Sequence, residues 1–169
     1  ATGGALIGAE VLLRWQHPEK GLLSPISFIA VAERTGAILD IGKWVLTESC
    51  HLLRQWSQHE ASRHLKLSIN VSARQFKQRD CGQVVRDTLA ETGADGRLLE
   101  LELTESLAVE NVEETAAKMK AVREMGVGIA LDDFGTGHSS LAYLKRLPLT
   151  QLKIDQSFVR DITTDANDA

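Results

Sequence analysis

Long apolar runs, paired cysteines and a basic excess are all missing from this sequence. No stretch approaches the ~18 consecutive apolar residues of a membrane span, and the start has no charged segment leading into an apolar one as a secretion signal would. Cysteine occurs only as Cys50 and Cys81, both in helix-like segments and outside any C-x-x-C unit. That removes support for zinc and dithiol chemistry and reads as reduced packing residues in a cytoplasmic protein. With 19 Lys and Arg against 23 Asp and Glu, the formal charge of -4 supplies no footprint for duplex nucleic acid. A small anionic ligand stays open, wherever a local lysine, arginine or metal supplies the field.

What is present describes one globular domain, with 43% hydrophobic and 25% charged residues. The 169 residues suffice for a core but fall short of the roughly 250 typical of a closed (β/α)8 barrel. Ala1-Thr2-Gly3-Gly4 at one end and Asp165 to Ala169 at the other both read as cut from something longer.

The most informative stretch runs from Val127 to Gly137, where apolar residues alternate with tiny ones, end in Asp132-Asp133 and pass into a glycine-rich turn. That pattern predicts a buried strand delivering acids to a rim. Two adjacent carboxylates repel and lose hydration there, and a divalent cation is a common remedy. The bland alternative is an Asp pair capping a loop through Asx turns.

The rest of the chain weighs on that choice. Leu65 to Ser72 and Leu99 to Glu105 alternate strictly, and both read as strands. Leu6 to Trp15 is read as another, with Glu10 and Arg14 on one buried face, and Leu152 to Asp155 as the last. Helices are expected from Ser24-Pro25 to Gly36, Ile41 to Trp56, Val84 to Gly93, Asn111 to Gly126 and Leu141 to Leu147, where Pro148 stops the last. A helix between every pair of strands implies βα units, a parallel sheet and no hairpins. One strand parity is apolar. The other is small or polar and carries Glu10, Asn70, Glu102, Asp132 and Lys153 towards the C-terminal ends, where the catalytic groups of a βα barrel gather.

Taken together, Glu10-Val11-Leu12-Leu13-Arg14, Ser68 to Ser72, Glu102-Leu103-Thr104-Glu105-Ser106, Asp132 to Gly137 and Lys153-Ile154-Asp155 resemble the EAL-domain phosphodiesterases of bacterial cyclic-di-GMP signalling. The resemblance runs through residues 1-169 in the family's order. It implies an α/β fold, a (β/α)8 TIM-type barrel that is incomplete here, with the second to sixth barrel strands present. It also implies Mg2+- or Mn2+-dependent hydrolysis of cyclic-di-GMP to linear pGpG. Carried over, Glu10, Asn70, Glu102 and Asp132 would ligate one metal, and Asp132 with Asp133 would reach a second. Lys153 would sit beside the attacking water. Arg14 would grip a phosphate, with Leu12, Pro25 and Asp155 also at the substrate. Glu105 would anchor the loop from Asp133 to Ser140, which in this family orders the second metal and contributes to dimer contacts.

Some positions depart from the family pattern. Val11 replaces the Ala that gives the family its name, and His138 stands where Tyr is common. His138 itself is not expected to bind metal, because the five histidines show no ligand spacing. The resemblance also places the family's first strand before Ala1 and its last two strands after Ala169. This chain alone is therefore expected to hydrolyse little, and its open sheet edges to favour a homodimer or strand exchange. Sensory or GGDEF domains are expected neighbours in the parent protein, which a membrane tether could hold at the cytoplasmic face. A competing reading keeps the fold without turnover, as a cyclic-di-GMP receptor or protein-interaction module.

Overall fold

The strict alternation seen in the sequence becomes a parallel sheet with one greasy and one polar face. A computed structural model describes residues 4–105, 107, 111–135 and 143–155. Its main sheet has five strands: β1 (Gly8–Val11), β4 (Lys66–Asn70), β5 (Leu99–Thr104), β6 (Gly128–Phe134) and β7 (Gln151–Ile154). They lie in that order and every neighbouring pair is parallel. Leu67 and Ile69 on β4, Leu101 and Leu103 on β5, and Ile129 and Leu131 on β6 are all buried. They pack with Leu46, Cys50 and Leu53 from α2 (Ile38–Trp56), Val85 from α4 (Cys81–Thr92), and Met119 and Val122 from α5 (Val112–Arg123). Helices thus cover the apolar parity, and the polar parity turns to the inside of the arc, as in a (β/α)8 barrel.

Register fixes which polar residues share a level. Ser68 lies opposite Glu10 on one side and Glu100 on the other, while Asn70 lies opposite Glu102. Helix ends follow the sequence closely. Gly36 ends α1 (Ile29–Thr35) and Gly93 ends α4, both in the left-handed region that glycine enters without strain. Asn111 accepts from the Glu114 amide and opens α5, as expected, but the helix stops at Arg123, ahead of Gly126. The Ser24-Pro25 start produces a 3-10 turn over Pro25–Ser27 before α1 begins.

Three expectations need correction. A hairpin exists: β2 (Trp15–His17) pairs antiparallel with β3 (Gly21–Leu23), outside the main sheet. Its turn is closed by a side chain, the His17 Nδ1 accepting from the amides of Glu19 and Lys20. Second, the strand read from Leu6 to Trp15 breaks after Val11, so Glu10 and Arg14 do not share a strand face. Glu10 is not buried either; its side chain stays 38% exposed on the outer strand β1. Third, the helix expected over Leu141 to Leu147 is a 3-10 turn at Leu144–Arg146, with residues 141 and 142 outside the described ones. The sequence also gave no warning of α3 (Ala73–Phe76), which Ser72 and Gln75 start with a reciprocal capping box.

The cysteines behave as packing residues. Cys50 is fully buried, and burial pushes its thiol up from 9.0 to about 11, against a weaker opposing hydrogen bond with Thr92. The folded chain therefore holds a proton that the unfolded chain releases, and stability should decline as pH rises from about 9 to about 11. Thiol titration at pH 8 should find Cys50 silent until denaturant is added. Equal labelling rates for Cys50 in native and denatured chain would contradict that burial.

Candidate active site

Side chains from four strands close on one point. The Asn70 amide donates to Glu10 Oε1 at 2.7 Å. The Lys153 ammonium donates to Glu102 Oε1 and stands 4.0 Å from Glu10 Oε2. β1, β5 and β7 thereby meet at the Lys153 nitrogen, β4 joins through the Asn70–Glu10 bond, and Asp132 on β6, between β5 and β7, adds its field to Lys153. Asp132 itself is half-buried.

Asp133 follows at an irregularity. Pairing between β6 and β7 slips between Leu131 and Phe134, and Asp133 takes φ 54, a left-handed value that Asp tolerates better than most residues. The slip frees two adjacent carboxylates from the strict alternation of a regular strand. Asp133 is exposed yet within electrostatic reach of Asp132, Asp155 and Lys153. Its carboxyl is pushed up by partial burial first, then by Asp132 and Asp155, with Lys153 opposing.

Glu102 and Lys153 are displaced in the same direction for opposite reasons. Burial raises the Glu102 carboxyl more than its hydrogen bond to Lys153 lowers it. Burial pulls Lys153 down, but Glu102, Glu10 and Asp132 more than offset it and hold the ammonium above its ordinary value. The lysine is accordingly charged at neutral pH, held by a half-shell of acids.

The donors suit a hard divalent cation. All are carboxylate or amide oxygens, the ligands Mg2+ and Mn2+ prefer. Glu102 is 2% exposed, and its Oε2 is buried with no hydrogen-bond partner among the described residues. An orphaned anionic oxygen of that kind is costly unless something positive meets it. The arrangement is not a ready-made cage, since no three His, Cys, Asp or Glu side chains converge on a metal position among the described residues. The Lys153 ammonium sits in the midst of these donors.

Glu105, 4% exposed, has a different task. Its Oε2 accepts from the Gly135 amide at 3.0 Å and its Oε1 from the Tyr143 hydroxyl at 3.4 Å, so one carboxylate joins the two sides of the loop after Asp133. Residues 136–142, with His138 and the rest of the Gly-Thr-Gly turn, lie outside the described residues.

Other sequence candidates stand apart. Leu12 is 58% exposed, and Pro25 is half-buried at the 3-10 turn. Arg14 is exposed and donates to the Leu13 carbonyl at 2.7 Å. Neither Arg14 nor its neighbours form an ion pair with the ring among the described residues. Asp155 is half-buried just past β7, its amide donating to the Phe134 carbonyl at 3.4 Å. Sequence reasoning assigned no role to Ser68, Glu100 or Thr150, which form a polar layer below the ring. The parity that Glu100 shares with Glu102 was the available signal.

Comparison with known proteins identifies the family. A model of the EAL domain matches residues 1–169. Signaling protein YkoW of Bacillus subtilis (strain 168) is 45% identical over 159 residues, covering 94% of this chain and 20% of its own length. The bifunctional diguanylate cyclase/cyclic di-GMP phosphodiesterase MucR of Pseudomonas aeruginosa is 43% identical over 169 residues, covering all of this chain and 24% of its own length. The chain thus spans between a fifth and a quarter of these curated relatives. Among solved structures, the PaMucR phosphodiesterase in complex with c-di-GMP superposes with a TM-score of 0.90 at 42% identity, covering 96% of this chain and 65% of that one. Together, sheet order, strand-end carboxylates and a match over the full 169 residues show that the chain belongs to the EAL domain family.

Proposed function

We propose that this chain carries the metal-holding part of a cyclic-di-GMP phosphodiesterase that opens the cyclic dinucleotide to linear pGpG. The observation that supports it most is the unpaired, buried Glu102 Oε2 beside Glu10, Asn70 and Lys153. Glu10, Asn70, Glu102 and Asp132 would hold one Mg2+ or Mn2+, and Asp132 with Asp133 a second. When bound, such ions supply Lewis-acid charge that polarises a phosphate and lowers the pKa of water.

The chain's own residues do the rest. Water attacks phosphorus, the bond to the 3′ oxygen breaks, and that oxygen leaves with a proton while the 5′ phosphate stays on the product. Lys153 keeps its proton, so it suits donating to and orienting the attacking water. Arg14 can turn its remaining N–H fork to a phosphate oxygen. Leu12 and Pro25 would touch the dinucleotide, with Asp155 nearby at the mouth. Glu105 steadies the segment carrying Asp133. Homodimerisation, GGDEF or sensory neighbours and a cytoplasmic setting belong to the same proposal. No helix among the described residues is long and apolar enough to cross a membrane.

The five described strands form an arc, and we expect the 169-residue chain alone to turn over little substrate. The test incubates the chain, and a longer polypeptide that closes the barrel, with cyclic-di-GMP and Mg2+ or Mn2+, then separates products by chromatography. Metal-dependent pGpG from the longer polypeptide, absent in its Asp132→Ala variant, is the expected result. Tight binding of cyclic-di-GMP with no product would instead identify a receptor module. Sedimentation as a stable monomer would sink the dimer.

A further inference from the structure

Beneath the ring lies a second carboxylate that the proposed reaction does not use. Glu100 sits two residues before Glu102 on the same face of β5 and is 5% exposed. Its side chain lies across Gly128, where an added Cβ would come within 3.0 Å of Glu100 Oε2. Its partners among the described residues are two hydroxyls. Ser68 Oγ donates to Oε1 at 3.2 Å. Thr150 Oγ1 lies 3.3 Å from Oε2, but it accepts from the Ile129 amide at 2.8 Å and has the Ile129 carbonyl nearer, at 2.9 Å, for its proton. Thr150 thus sits between Glu100 and the backbone of β6 at Ile129, three residues before Asp132.

Ser68 has a second claimant. Its hydroxyl also lies near enough to the Glu102 carboxylate to favour its ionised form, without a hydrogen bond to Oε2. A serine hydroxyl has one proton, so it can satisfy one of the two carboxylates at a time. The geometry awards it to Glu100, and Glu102 Oε2 is left without a partner.

We infer that Glu100 is a positioning residue that draws the Ser68 hydroxyl down and away from Glu102, keeping Glu102 Oε2 open for a cation. This rests on the cation-site reading above. Glu100 acts on the ligand through Ser68, whose proton it accepts at 3.2 Å. The Ser68 hydroxyl and one acid are thus part of how a buried oxygen is kept unpaired in a place where hydrogen bonds are available.

The consequences separate positioning from packing. In Glu100→Gln the side-chain amide can donate to Ser68 Oγ, which frees the hydroxyl proton to turn to Glu102 Oε2. A cation must then break that bond, and Mn2+ binding to the 169-residue chain, measured by calorimetry, should weaken about fivefold. Ser68→Ala removes the competing proton and should bind Mn2+ at least as tightly as the unaltered chain. The double variant, Glu100→Gln with Ser68→Ala, should recover most of the loss. Removing the Glu100 charge weakens cation attraction equally with or without Ser68, so recovery isolates the hydroxyl. Thermal melts accompany each titration to establish that the variants are folded. If the double variant binds no more tightly than Glu100→Gln, or Ser68→Ala alone weakens binding, the inference is overturned while the cation site stands. If the unaltered chain binds no Mn2+, both fall.

Discussion

Replacing Glu102 with Gln should lower cyclic-di-GMP hydrolysis on the order of 10²- to 10³-fold in a polypeptide that closes the barrel, while barely moving its melting temperature. The two effects diverge because the features that suit Glu102 to a cation do little for the fold. Its Oε2 is buried and unpaired, and burial holds its carboxyl above the ordinary 4.5. A carboxyl raised in this way favours the folded state only while protonated. Above about pH 4.5 the unfolded chain releases the proton more readily, so the ionised form works against folding at neutral pH. Gln removes that penalty and keeps an oxygen that can accept from Lys153. What it loses is half of an ion pair. Lys153 is 26% exposed and retains Glu10 and Asp132 nearby, so solvent and neighbours temper the loss. The net change should stay within about 1 kcal/mol, or about 2–4 °C for a domain of this size. Chromatographic turnover and a thermal melt on the same preparation check both halves. Hydrolysis within threefold of the unaltered protein would remove Glu102 from the ligand set. A collapse of the melting temperature would make the residue structural.

That divergence bears on what could be read from sequence. The strands at Lys66–Asn70 and Leu99–Thr104 were legible because one parity is apolar to face the helices and the other polar to face the inside of the arc, even where, as at Glu100 and Glu102, both are buried. The ring of Glu10, Asn70, Glu102 and Lys153 could be named for the same reason. Its contacts could not, because they depend on register: only pairing shows that Asn70 stands level with Glu102 and that Ser68 stands level with both Glu10 and Glu100. Parity alone treats Glu100 and Glu102 alike, yet one meets two hydroxyls and the other a lysine. The hairpin from Trp15 to Leu23 escaped notice because its turn is held by the His17 ring rather than by an Asn-Gly or Asp-Gly pair. Asp133 hid a backbone feature. Nothing in Leu131-Asp132-Asp133-Phe134 announces a left-handed residue in mid-strand, and that residue is what allows neighbouring acids to serve one rim.

The loop after Asp133 leads to the second large effect, which two substitutions at Glu105 should separate. Glu105→Ala removes the acceptor for both the Gly135 amide and the Tyr143 hydroxyl. Losing this acceptor for a half-buried amide and a buried hydroxyl costs about 1–3 kcal/mol, so the melting temperature should fall by several degrees. Activity should fall further than stability explains, by about 10²-fold, because Gly135 is two residues from Asp133 and a displacement near 1 Å at a reacting centre is enough to do so. Glu105→Gln behaves differently. Its amide oxygen can accept from Gly135, and its NH2 can donate to Tyr143, whose hydroxyl accepts as readily as it donates. Both partners stay satisfied without the charge, and stability should be nearly retained. Hydrogen exchange at the Gly135 amide reads the anchor directly: slow in the unaltered chain and in Glu105→Gln, fast in Glu105→Ala. If that amide is equally protected in all three, the carboxylate does not hold the loop. If Gln exchanges as fast as Ala, the anchor depends on the negative charge itself.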